Sequence, residues 1–107
     1  MSKRMQQYRG DLHLIGGCSP NTRKAVFKAC DNKLIEAIAD AVWTVLEGKV
    51  PLSPSQRQHI LQEKPILRQI AAKNRTVKQK RKVLTSQRGG NIISFLFNAL
   101  KSIFQHE

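Results

Sequence analysis

The sequence predicts an all-α protein: a small bundle of four or five short helices, with a flexible N-terminal arm and a hinged amphipathic C-terminal helix. Three observations predict it. Apolar residues recur at three- and four-residue spacing, no stretch alternates apolar with polar residues, and Ser-Pro pairs stand where helices should begin. The 107 residues leave room for one domain and short tails.

Residues 1 to 17 open with the polar, basic stretch MSKRMQQYRG and close on Leu14-Ile15-Gly16-Gly17. This reads as the flexible arm, with Tyr8 inside it. Residues 18 to 74 form the predicted helical domain. Ser19-Pro20 starts its first helix, Ser as N-cap and Pro at the first helical position where a missing N–H is harmless. Asp31 caps the second, whose stripe is Leu34, Ile35, Ile38, Ala41, Val42, Val45 and Leu46, and Gly48 closes it. Phe27 and Trp43 lie on these two helices and are expected in the core.

Ser53-Pro54 repeats the start signal for a third helix carrying Ile60 and Leu61. Pro65 ends it or begins a fourth, with Ile66, Leu67, Ile70 and Ala71, because proline lacks the donor a helix interior needs. Residues 75 to 90 continue as a basic helix that Gly89-Gly90 terminates as a hinge. Residues 91 to 107 place Ile92, Ile93, Leu96, Leu100, Ile103 and Phe104 on one face of a last helix, with Phe95 and Phe97 added to it.

Charge is unevenly placed. Residues 1 to 47 hold seven Lys or Arg against five Asp or Glu, whereas residues 48 to 90 hold eleven against Glu63 alone. The whole chain has a net charge of +12, which repels itself unless an anion neutralises it. Lys73, Arg75, Lys78, Lys80, Arg81, Lys82 and Arg88 form an acid-free run. Such a run suits phosphate contacts, which release counterions and give affinity without sequence information. With no aromatic residue and few base-reading amides in the run, backbone binding is expected over base readout. A solvated basic face, or a nuclear-import signal at Lys78-Gln79-Lys80-Arg81-Lys82, is the plainer alternative.

The remaining residues argue against catalysis. His13, His59 and His106 share no motif with Cys18, Cys30 or a carboxylate pair, so no nucleophile and base can be assembled. Neither a zinc spacing nor a phosphate-cradling glycine loop appears, and no cofactor or metal is expected. The two thiols are expected free, in a reducing compartment. The N-terminus is unlike a secretory leader, and no apolar run reaches the roughly 18 residues of a transmembrane helix.

The order of a Lys/Arg-rich stretch, then Arg88-Gly89-Gly90, then an apolar tail resembles the precursor of the minor core peptide of adenoviruses. It resembles more closely the X-like basic core proteins of adenovirus-related polintons and adintoviruses, in which a helical segment like that around residues 32 to 54 precedes the cations. The likeness covers residues 20 to 105. It implies a virion component that condenses or tethers DNA, in the host nucleus and the particle. It also implies maturation by a protease cutting after an aliphatic residue, any residue, Gly and Gly. Leu14-Ile15-Gly16-Gly17 fits that pattern, with the cut after Gly17; Gln87-Arg88-Gly89-Gly90 departs from it at the first position, with the cut after Gly90.

The expected function is therefore sequence-independent DNA binding by a viral or transposon core protein. The alternative is a membrane-active or capsid-lining protein acting through Ile92, Ile93, Phe95, Leu96, Phe97, Leu100, Ile103 and Phe104. Those residues would contact an anionic membrane, capsid proteins or, in a homo-oligomer, a second copy of the helix.

Overall fold

The computed structural model describes residues 2 to 101. Among them it contains eight α-helices and no strand: α1 (Lys3–Gln7), α2 (Arg9–Gly17), α3 (Pro20–Ala29), α4 (Asn32–Leu46), α5 (Pro54–Gln62), α6 (Lys64–Ala71), α7 (Val77–Thr85) and α8 (Gln87–Ala99).

Local chemistry sets most of the boundaries. The Ser19 hydroxyl accepts the Thr22 N–H at 3.3 Å, and the Asp31 carboxylate accepts that of Leu34 at 2.9 Å. Ser53 with Gln56, and Thr76 with Gln79, form reciprocal capping boxes at α5 and α7. Gly48 ends α4 at φ +75°, the left-handed geometry that glycine adopts without steric cost.

Residues 3 to 17, expected as a flexible arm, are instead the helices α1 and α2. Met5, Leu12 and Ile15 fall on one helical face with Tyr8 half-buried between them, and all three are buried. This face packs α1 on α4 and α2 on α8. Ser2 caps the start, accepting the Met5 N–H at 3.1 Å. The arm accounts for the excess of helices over the expected number.

The expected hinge is also replaced. Gly89 and Gly90 are buried in the first turn of α8, which begins two residues earlier behind the Ser86 cap. A methyl on Gly89 would collide with the Val83 carbonyl oxygen at the end of α7. A methyl on Gly90 would stand 3.3 Å from the Leu84 carbonyl oxygen and 3.5 Å from Arg23 Nε. Gly89 is required because the end of α7 comes too close for a side chain, whereas the contacts at Gly90 are tight on the α7 side only.

One apolar cluster draws on all eight helices. Its centre includes Phe27 of α3, Ile35 and Ile38 of α4, and Ile92, Ile93, Leu96 and Phe97 of α8. Each such side chain contributes about 1.5–3 kcal/mol by leaving water. Trp43, expected beside Phe27 in the core, is 42 % exposed on the outer face of α4, whereas Phe27 is fully buried. The α4 stripe is already filled by the aliphatic residues flanking Trp43 in the helical repeat.

Candidate nucleic-acid interface

The seven cations of the basic run separate into two groups. Three are tied to the protein itself. Lys80 is buried on the inner face of α7, its Nζ 3.4 Å from Glu36 Oε1 of α4. Arg81 donates from Nη1 to the carbonyl oxygens of Phe27 and Cys30 at 2.7 and 2.8 Å, and from Nη2 to Asn32 Oδ1 at 3.0 Å. It thereby satisfies carbonyls left open at the C-terminus of α3, where a cation also complements the helix dipole.

Arg88 makes a forked contact with Glu63, Nη2 to Oε1 at 2.8 Å and Nε to Oε2 at 3.0 Å. The guanidinium's hydrogen bonds hold the Glu63 carboxyl below its ordinary value, and Glu63 in turn raises Arg88. Arg81 also lies 3.6 Å from the Cys30 sulfur. Burial raises the Cys30 thiol, an effect that Arg81 opposes. Both cysteines are free.

The other four face outward. Lys73 stands over the exposed Trp43 ring, 5.7 Å from its centroid, within cation–π range. Arg75, Lys78 and Lys82 are exposed, with no ion-pair partner among the described residues. Lys78 and Lys82 are one helical turn apart on α7, on the side that Thr85 continues.

The basic run does not act alone. Helix α3 packs on α7, and on it Lys24 and Lys28 are exposed one turn apart, also without an acid partner. Lys24 shares a cleft with Thr85. The two lysine pairs thus stand on two helices that pack on each other, and neither helix contains an Asp or Glu. Counting charge by segment hid this, because Lys24 and Lys28 belong to the nearly neutral half; their i, i+4 spacing on an acid-free helix was the available signal.

Several of the acids elsewhere are engaged. Asp40 accepts from Arg4 Nε at 3.0 Å, Glu36 pairs with Arg4 and Lys80, Glu63 holds Arg88 and Asp31 caps α4. None of the ion pairs among the described residues involves Lys24, Lys28, Arg75, Lys78 or Lys82.

The residues expected to meet a membrane or partner are placed otherwise. Ile92, Ile93, Leu96, Phe97 and Leu100 are buried, and Phe95 is half-buried with its ring 4.1 Å from that of His59. Ile103 and Phe104 lie outside the described residues. No helix among the described residues is long and apolar enough to cross a membrane, and no group of three His, Cys, Asp or Glu among them could hold a metal ion.

Of the two expected cleavage points, Gly17 is exposed at the end of α2, but Gly16 beside it is buried against the Phe97 backbone. Gly90 is buried inside α8. Cutting at either site requires a helical turn to unwind.

Among the described residues, fold and face together define a basic, all-helical protein in which two neighbouring helices, α3 and α7, are cationic and acid-free. Comparison with protein-family models, curated proteins and solved structures finds no match.

Proposed function

We propose that the protein binds the phosphate backbone of DNA without reading base sequence, through the neighbouring helices α3 and α7. The observation that carries this proposal is the pairing of Lys24 and Lys28 with Lys78 and Lys82 across two acid-free helices. Arg75 extends the row at the start of α7. A surface of this kind gains affinity from counterions released by the polyanion and has few base-reading side chains to confer specificity. Lys80 and Arg81 serve instead to hold the basic helix α7 on the scaffold, and Arg88 ties α8 to Glu63. The resemblance of the residue order to the X-like core proteins makes the core of a viral or transposon particle the setting proposed for this binding.

The test is titration of the intact chain with random-sequence duplex DNA at two salt concentrations. Binding that weakens steeply with salt and is indifferent to sequence supports the proposal. Absence of binding at low ionic strength overturns it.

A further inference from the structure

The first turns of α3 and α8 border a cleft of about 330 Å³ that contains a buried positive charge with no carboxylate to match it. Its walls include Asn21, Arg23 and Lys24 from α3, Thr85 and Ser86 from the end of α7, and Gln87 from α8. None of the residues lining it is acidic.

Arg23 is only 5 % exposed. Its guanidinium lies over the first turn of α8, in the space that a side chain at Gly90 would fill. An arginine carries five N–H donors. Among the described residues this guanidinium hydrogen-bonds from Nη2 to Asn91 Oδ1, at 3.4 Å, no carboxylate lies within ion-pair distance, and its remaining donors are not sealed from solvent. A buried guanidinium is ordinarily matched by an acid, because desolvating it alone is costly. This one has only the Asn91 amide oxygen beside it and opens onto the acid-free cleft.

Further donors face the same region. Helices α3 and α8 both begin at the cleft; the first-turn N–H groups of Asn21 and Gln87, which line it, have no helical acceptor, and neither has that of Arg88, the next residue along α8. The Ser19 and Ser86 hydroxyls are already occupied as caps of Thr22 and Gly89. Lys24 adds a mobile ammonium at the rim. Backbone amides, a fixed guanidinium fork and a flexible cation together suit a tetrahedral oxyanion that accepts at several oxygens.

We propose that this cleft is a phosphate-binding site in which Arg23 is the buried anchor and Lys24 the rim contact. The phosphate group is either free or part of a nucleic-acid strand. The site shares Lys24 with the proposed DNA-binding face but does not use Lys78 or Lys82, so variants of that second pair tell the two apart.

The test follows backbone amide resonances of the intact chain during titration with inorganic phosphate, against chloride at matched ionic strength. The expected result is saturable movement of the Asn21, Gln87 and Arg88 amides. Lys24→Gln should weaken phosphate binding roughly tenfold, and Arg23→Met should abolish the saturable movement. If Arg23→Met fails to fold, the wild-type shifts and Lys24→Gln still decide. Movement that never saturates, or that centres on Lys78 and Lys82, overturns the proposal. The double variant Lys78→Gln, Lys82→Gln should keep its phosphate response while losing duplex affinity. Random duplex DNA that moves the same three amides identifies the source as a nucleic-acid backbone; movement with inorganic phosphate alone identifies a small phosphate compound.

Discussion

Lys80 Nζ reaches Glu36 Oε1 across the interface of α7 and α4, with the lysine side chain 4 % exposed and the glutamate 29 %. A cation in the middle of the basic run is thus a structural element of the core boundary. The pair is asymmetric, since Glu36 retains access to water and to Arg4 whereas Lys80 does not. Glu36→Gln should therefore cost more stability than Lys80→Met, because it leaves a buried charge behind. Removing the acid should cost about 1–3 kcal/mol, discounted from a fully buried pair because Glu36 is partly solvated, and the apolar replacement should be nearly neutral. Urea denaturation of the two variants checks the order; equal losses would contradict it.

The glycines give opposite expectations at two positions. Gly89→Ala should destabilise by about 1–3 kcal/mol or more, since the added methyl meets the backbone of α7 rather than a movable side chain. Gly10→Ala, in α2 with nothing within 4 Å of the new atom, should stabilise by up to about 1 kcal/mol through helix propensity. Thermal melts of the two single variants report both signs.

Acid should weaken the link between α8 and the end of α5. Glu63 is held below its ordinary value of 4.5 by Arg88, so it stabilises the fold above that value and loses this contribution as pH falls through the folded-state value. Arg88→Gln removes the cause. The variant should be less stable than the parent at neutral pH, and the gap should close on acidification below the ordinary glutamate range. A gap that persists at low pH would assign the effect to packing of the arginine stem.

Outward lysines and scaffold cations should separate in a binding assay. The double variant Lys78→Gln, Lys82→Gln should keep the parent's melting temperature, bind duplex DNA more weakly and lower the log-log salt slope by about 2. Arg81→Gln should lower the melting temperature, because three hydrogen bonds at the end of α3 are lost. Its salt slope should stay close to the parent's in the folded protein.

What was legible in the sequence was local. Ser19-Pro20, Asp31 and Ser53-Pro54 marked helix starts because a cap acts over three residues, and the α4 stripe follows from helical period alone. The arm was missed because Gly10, Gly16 and Gly17 and the polar residues around them outweigh Met5, Leu12 and Ile15 by composition, although the spacing of those three is helical. Gly89-Gly90 could not be resolved locally: a glycine that frees the backbone and one that admits a neighbouring helix are the same residue. The candidate site was half legible for a related reason. Lys80, Arg81 and Arg88 look like Lys78 and Lys82 in the sequence, but their partners lie 44, 54 and 25 residues away. Trp43 looked like core for want of any sign that aliphatic neighbours already filled that face.

Helix α8 packs chiefly on α2, and also on α3, α5 and α7, all of which precede it. On the ribosome those earlier helices emerge with no partner for the apolar surfaces they will later share. Until α8 follows, the guanidinium of Arg23 has no Asn91 to meet and Glu63 has no Arg88 to hold. A nascent chain stalled before Gln87 should therefore be sticky, easily degraded and prone to cling to ribosomal RNA, and release of the last helix should end all three behaviours together.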